Sequence, residues 1–197
     1  KEFSDHLLGD SGPKRTGFID LYWLFDDGGL SALFPYLLNQ ANEWKHCKIR
    51  IFTMGQKFSD PQSIRSIGNL LSLLRINYES INSIDIFDDT EEAEGLEEFT
   101  AKLNSITADD STKCESWRLR PRDVLMNEIK TLHHVRLRNA VRKYSSDAEV
   151  VFITMMVPRK LSIPSLLYLS WLDFVSEAHP FVCFIRGNQE NVLTYYT

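Results

Sequence analysis

The sequence predicts an α/β domain: a mostly parallel open sheet with helices on both faces. Short runs of β-branched and aromatic residues alternate with longer segments of helical period along the chain. Two of these runs, at residues 18–25 and 149–156, are apolar on both faces, as strands are when each face is covered. Alternation of this kind favours right-handed crossovers and a parallel sheet, for which we expect the strand order 3-2-1-4-5.

The first half of the chain supplies three strands and two helices. A polar lead-in at residues 1–16 contains glycine and proline and shows no period, so we expect the folded domain to span 17–197. The first strand, FIDLYWLF at 18–25, is apolar except for Asp20. Apolar residues at helical spacing from Leu30 to Trp44 predict a helix, and a short strand follows at 47–53. Asp60 as N-cap and Pro61 at the first helical position open a second helix to Leu74, before a strand at 83–87.

The second half begins with an acidic insertion at residues 88–120, in which we expect one modest helix. A long helix is predicted from Pro121 to Tyr144, with a bend near His133 and His134 where the apolar stripe changes phase. The remaining elements are a strand at 149–156, a helix at 165–178, a strand at 181–185 and a last strand at 192–196. An antiparallel orientation for that last, edge strand is left open.

Composition excludes several classes of protein. A net charge of -5 argues against nucleic acid as the main partner, because phosphate neutralisation requires a basic surface. Cys47, Cys114 and Cys183 are widely spaced and odd in number, which indicates reduced cytosolic thiols rather than disulfides or a zinc site. The most apolar helical stretch, 166–175, is about half the length that crosses a bilayer. The chain begins at Lys1 without an initiator Met, so we expect it to be part of a longer protein.

The loops after the first and fourth strands are where an open α/β sheet binds ligands. Asp26 and Asp27 precede two glycines in the first loop, and Arg159 and Lys160 lie in the other. A tight strand-to-helix turn explains the first loop better than phosphate binding, since two carboxylates would repel a phosphate. Nucleotide binding remains the alternative hypothesis. We predict no cofactor and no metal.

No arrangement of residues indicates an enzyme. His133 and His134 are adjacent, so on a helix they diverge by about 100° and cannot share a metal as i, i+4 histidines do; we expect surface or boundary positions for them. We therefore predict no catalytic residue. A cationic group could contact anionic lipid or an acidic partner, although a solvated helix face is the simpler interpretation. Its members are Arg118, Arg120, Arg122, Lys130, Arg136, Arg138, Arg142 and Lys143.

The helix at 165–178 is apolar on more than the one face that a sheet can cover. We therefore hypothesise a second face that packs on another subunit, with a neighbouring helix of the same domain as the alternative. The candidate interface residues are Tyr168, Trp171, Leu172 and Val175.

Several strings carry a resemblance to a known family. They are IDLYWLFDDGGL at 19–30, PYLL at 35–38, CKIRIF at 47–52, VRLRN at 135–139, PRK at 158–160, LYLSWL at 167–172 and RGNQENVLTYY at 186–196. Together they resemble the cytosolic C-terminal domain of the sodium-dependent cation-chloride cotransporters, which carry sodium and chloride with or without potassium. The resemblance runs from about Phe18 to Thr197.

The resemblance implies a fold similar to universal stress proteins, a homodimer, and a position at the cytoplasmic face of a cell membrane as part of an integral membrane transporter. It further implies that the domain controls transport by the attached membrane domain. Sodium, chloride and, in some members, potassium would bind in that membrane domain, outside this chain. A nucleotide-sensing module of the stress-protein type is the alternative function.

Overall fold

The computed structural model describes residues 14–25, 29–54, 61–87, 94–107, 118–159 and 162–187. In these ranges it contains five strands and six helices, and none of the helices is long and apolar enough to cross a membrane. The elements are β1 (Phe18–Trp23), α1 (Leu30–Gln40), β2 (Lys48–Met54), α2 (Pro61–Leu73), β3 (Ser80–Ile84), α3 (Leu96–Asn104), α4 (Pro121–Leu125), α5 (Glu128–Tyr144), β4 (Ala148–Thr154), α6 (Ser165–Ser176) and β5 (Val182–Ile185).

The five strands form one sheet in the order β3-β2-β1-β4-β5. β1 is central and runs parallel to both of its neighbours, with Asp20 opposite Arg50 on β2 and Leu21 opposite Phe152 on β4. The predicted α/β class and strand order are therefore confirmed. The last predicted strand, at 192–196, lies outside the described residues.

The chain divides into two compact units. Of the described residues, the sheet unit contains those up to Ser83, Asp147–Met155 and those from Cys183 onwards. Its core lies on one face of the sheet, where alternate strand residues such as Ile19, Leu21 and Ile51 pack with Ala32 of α1 and Leu71 of α2. This face matches the period-2 alternation of β1, because successive side chains of a strand point to opposite faces.

The other face of β1 is also buried, and it contains a charged residue. Asp20 has no exposed surface, and both of its carboxylate oxygens accept hydrogen bonds from the Arg50 guanidinium at 2.8 Å. Arg50 also donates to the exposed carboxylate of Asp147 at 2.7 Å and lies over the ring of Phe18. Burial lowers the pKa of Arg50, but its hydrogen bonds to Asp20 and Asp147 outweigh burial and raise it above its ordinary value. Asp20, the charged residue of an otherwise apolar strand, therefore forms a bidentate ion pair with Arg50.

The helical unit contains Ile84–Ser146 and Met156–Val182. α5 packs along α6, and α3 contacts both helices. Phe99 and Leu103 of α3, Val135 of α5, and Trp171 and Phe174 of α6 are all buried in one apolar cluster. The acidic insertion thus has the predicted helix, but one face of that helix belongs to a core and is not solvated.

Several predicted boundaries are wrong: α1, for example, ends at Gln40 and not at Trp44. β3 begins at Ser80 and not at Ser83, because pairing starts where Glu79 N–H donates to the carbonyl of Ile49 at 2.7 Å, and edge pairing needs no apolar side chains. The long helix is interrupted at Met126 and Asn127, whereas His133 and His134 lie within the continuous α5. Asn127 causes the break, since its backbone is not helical and its side-chain amide donates to the carbonyl of Asp123 at 2.8 Å.

Candidate functional site

The carboxyl ends of β1 and β4 meet through a buried threonine. The Thr154 hydroxyl donates to the carbonyl of Tyr22 at 3.0 Å and accepts from the N–H of Leu24 at 3.4 Å. Both hydrogen bonds stay within the sheet unit, so this hydroxyl already has a donor and an acceptor in the chain. Asp26 and Asp27 lie outside the described residues. Gly29, which follows them, has φ 84°, a conformation that favours glycine at the start of α1.

Of the two cationic residues predicted in the loop after β4, Arg159 lies in the described part of the chain. Arg159 is exposed, and its carbonyl accepts hydrogen bonds from both the N–H and the hydroxyl of Ser162. Lys160 lies outside the described residues. Ser162 is thus bonded back to Arg159 just before α6, and this contact requires no ligand.

The described part of the chain holds no group of three or more His, Cys, Asp or Glu side chains that could bind a metal ion. Cys47 is buried in the sheet unit, and burial, with a smaller effect of the Glu149 carboxylate, raises the pKa of its thiol. Cys183 is exposed. A raised thiol pKa disfavours the reactive thiolate at Cys47.

Trp171 of α6 contacts α5 through a hydrogen bond to Thr131 and a ring contact with His134. Trp171 Nε1–H donates to the Thr131 hydroxyl at 3.0 Å, and that hydroxyl donates to the carbonyl of Asn127 at 3.1 Å. The ring of His134 stacks on Trp171 with centroids 4.5 Å apart. Trp171 thus has a hydrogen-bonded partner and a stacked partner inside the helical unit.

His134 is buried, which corrects the expected surface or boundary position. Its Nδ1–H donates to the carbonyl of Lys130 at 2.7 Å, so the neutral ring carries its proton on Nδ1. Burial lowers the pKa of His134 to about 4, and the neighbouring His133 contributes to the shift. His133 is half-buried, with its ring at the edge of Phe87.

The four candidate interface residues have two different environments. Trp171 and Val175 are only 1% exposed, so they are covered within this chain. Tyr168 and Leu172 are half-buried, and the neighbouring Leu169 is 58% exposed. The alternative explanation, a neighbouring helix, therefore accounts for the Trp171 side of α6. Tyr168, Leu169 and Leu172 are among the apolar residues of α6 that retain surface for a partner, and subunit contact through them stays a prediction.

A buried arginine fixes α3 to the rest of the helical unit. Arg138 is 1% exposed, donates to both carboxylate oxygens of Glu98 at 2.9 and 3.1 Å, and lies over the ring of Phe174 at 4.0 Å. Gly95 begins α3 with φ +87°, and a side chain there would come within 2.9 Å of the Arg138 guanidinium. Lys102 makes a second, exposed ion pair with Glu177. Sequence reasoning placed Arg138 on a solvated face, and the structure shows that this is wrong.

An apolar groove of about 380 Å³ lies between α3, α4 and α5. Its lining includes Leu96, Phe99, Leu103, Val124 and Leu125, with Glu128 and Thr131 among the polar residues. Sequence reasoning missed this feature, since each helix taken alone shows only an ordinary amphipathic pattern.

The fold and these surfaces define an α/β domain with a parallel sheet and several apolar and ionic contact surfaces. The sequence model of solute carrier family 12 matches residues 11–197. Solute carrier family 12 member 3 of Homo sapiens is 38% identical, over 93% of this chain and 19% of that protein. The chain belongs to solute carrier family 12.

Two further relatives resemble the chain over the same share of its length. Solute carrier family 12 member 2 of Danio rerio is 33% identical, over 93% of this chain and 17% of that protein. The bumetanide-sensitive sodium-(potassium)-chloride cotransporter of Manduca sexta is 32% identical, over 93% of this chain and 17% of that protein. The resemblance predicted from the sequence is confirmed, and the chain spans less than a fifth of the length of these relatives.

Proposed function

We propose that this chain is a cytosolic regulatory and dimerisation domain of a sodium-(potassium)-chloride cotransporter. It would control electroneutral ion transport by the membrane domain to which it is attached. One observation carries the proposal: nearly the whole chain matches less than a fifth of its cotransporter relatives. The transported ions, sodium and chloride with potassium left open, would then bind in the rest of the transporter.

In this proposal the domain acts by surface contact and not by catalysis. A contact surface biases an attached domain when it binds one of its conformations better than another. The apolar residues of α6 that retain surface are suited to such a contact, because the buried side of the helix is held rigidly by Thr131 and His134. A rigid surface loses little conformational entropy on binding.

We assign the homodimer contact to the face of α6 that carries Tyr168, Leu169 and Leu172. Leu169→Glu introduces a charge that would have to be desolvated in that contact, so we expect weaker self-association. Analytical ultracentrifugation at several concentrations measures it, and we expect a dimer constant at least tenfold weaker than in the wild type. Leu37→Glu, at a similarly exposed leucine of α1, is the matched control. Equal association of the wild type and Leu169→Glu would contradict this assignment.

The regulatory role needs the full-length transporter. We expect Leu169→Glu to change sodium and chloride flux per transporter at the cell surface, with surface abundance measured in parallel, and Leu37→Glu to leave the flux unchanged. Flux with and without external potassium decides the open question about that ion. Normal flux and normal surface abundance after deletion of residues 17–197 would overturn the proposed function.

A further inference from the structure

Three large apolar side chains project into solvent where α4 meets α5. Leu125 is 71% exposed, Met126 is 81% exposed and Ile129 is 66% exposed. We call these three residues the apolar corner. Single exposed apolar residues are ordinary, but here three large ones lie within five positions of the chain.

The corner is held in place by a buried residue. Asn127 is buried, and its side-chain amide donates to the carbonyl of Asp123. Its own carbonyl accepts from the N–H of Thr131 at 2.9 Å and from the Thr131 hydroxyl at 3.1 Å. These hydrogen bonds tie the turn to the Thr131–Trp171 contact of the core. The apolar side chains are therefore displayed by an anchored turn.

Basic residues flank the apolar corner in the sequence. Arg118, Arg120, Arg122 and Lys130 are exposed, and the acidic residues of the same segment are Asp123 and Glu128. Arg122 lies 3.7 Å from the Asp123 carboxylate, and Lys130 donates to the Asn127 side chain at 3.3 Å. In a chain with a net charge of -5, this segment has twice as many basic as acidic residues.

We propose that the apolar corner inserts into an anionic phospholipid surface, with Arg118, Arg120, Arg122 and Lys130 at the level of the headgroups. Apolar side chains that enter the interface lose water, and nearby Lys and Arg residues gain from the negative surface potential of the lipid. This combination is the one that interfacial membrane contacts use. The inference goes beyond the proposed function, because regulation by protein contact needs no lipid.

A lipid surface fits the corner better than a protein helix does. The three side chains are between 66% and 81% exposed, so they project from the turn, whereas a docked helix needs a recessed site. The groove between α3, α4 and α5 offers such a recess, but of the three corner residues only Leu125 is among its lining residues, and Met126 and Ile129 are not. A protein partner on the corner is therefore the competing outcome of the test.

The test is co-sedimentation of the 197-residue chain with phosphatidylcholine vesicles that contain or lack phosphatidylserine. We expect binding to the anionic vesicles, weakened by raised salt, and little binding to the neutral ones. Replacing all three corner residues (Leu125→Ser, Met126→Ser, Ile129→Ser) should weaken vesicle binding about tenfold or more. Arg120→Gln with Arg122→Gln should weaken it and reduce its salt dependence. Leu37→Ser, at an exposed leucine of α1 outside both the corner and the proposed dimer contact, is the matched control.

Each remaining outcome counts against the proposal. It fails if the wild type, shown to be folded by circular dichroism, does not bind anionic vesicles. It also fails if the triple variant binds as well as the wild type, or if Leu37→Ser loses binding equally. Self-association abolished in the triple variant, with vesicle binding intact, would assign the corner to a protein contact. None of these results bears on flux after deletion of residues 17–197.

Discussion

His134 makes the helical unit sensitive to acid. The ring stacks on Trp171 and donates to the carbonyl of Lys130, and burial lowers its pKa to about 4 from an ordinary value of 6.5. Between these two values the unfolded chain binds a proton that the folded chain does not. The stability that neutral His134 contributes is therefore complete above pH 6.5 and is lost as the pH falls towards 4.

We predict that the free energy of unfolding falls by roughly 1.4 kcal/mol per pH unit in this window because of His134, and by about 3 kcal/mol in total. Urea unfolding followed by tryptophan fluorescence at pH 7, 6 and 5 measures the slope. His134→Phe retains a ring against Trp171 and cannot be protonated. The free energy of unfolding of this variant should therefore lack the pH dependence that His134 causes. His46→Gln, at an exposed histidine, should retain it. Equal slopes in the wild type and His134→Phe would contradict the prediction.

The residues that sequence reasoning misplaced are polar residues with distant partners. Arg138 was placed among solvated cations, and its partner Glu98 is separated from it by 40 positions. His134 depends in the same way on Trp171. A charged residue on a helix predicts exposure unless its partner is known, because burying an unpaired charge is costly. Asp20, in contrast, could be recognised as an exception in an apolar strand, although not paired with Arg50.

At the scale of elements, α3 depends on few contacts. It joins the apolar cluster through Phe99 and Leu103, and its charged attachments are Glu98 to Arg138 and Lys102 to Glu177. The two ion pairs differ in burial: Arg138 is almost fully buried, whereas Lys102 and Glu177 are both partly exposed. Loss of the Glu98 carboxylate would leave a buried cation without its acidic partner.

We therefore predict that Glu98→Ala increases local opening of α3. Hydrogen exchange of the amides in 96–104 should become at least tenfold faster, because the almost fully buried Arg138 would lose its half-exposed acidic partner. Glu97→Ala, at the exposed neighbouring residue of the same helix, should change the exchange by much less. Lys102→Ala removes an exposed pair and should also have a small effect. Unchanged exchange in Glu98→Ala would show that the apolar contacts alone hold α3.

The sequence predicted the existence of most elements and was less accurate for their boundaries. The spacing of apolar residues was sufficient to predict the order of strands and helices, because a strand and a helix bury side chains at different spacings. The break before α5 was missed because it depends on the hydrogen bonds of Asn127 and not on hydrophobic pattern. The pattern of α6 indicated apolar residues on more than one side of the helix. It could not decide between another helix and another subunit, since both present apolar surface.

For the whole molecule, the choice between a contact domain and a nucleotide-sensing module depends on the carboxyl ends of the strands. In the described residues the Thr154 hydroxyl already bridges β1 and β4 within the sheet unit. In the sequence, Asp26 and Asp27 follow β1 and would repel a phosphate. Both observations favour a domain that acts through its surfaces.

We predict that ATP with magnesium, at millimolar concentration, shifts the thermal unfolding midpoint of the chain by less than about one degree, because a ligand stabilises only the fold that binds it. Thermal shift and calorimetric titration measure this directly. Asp26→Asn with Asp27→Asn removes the repulsion and distinguishes two explanations. If the double variant gains ATP binding that the wild type lacks, the carboxylates exclude the nucleotide; if neither binds, the loop forms no phosphate site. Stabilisation of the wild type by several degrees would instead favour the nucleotide-sensing function, and the regulatory proposal would then need a ligand.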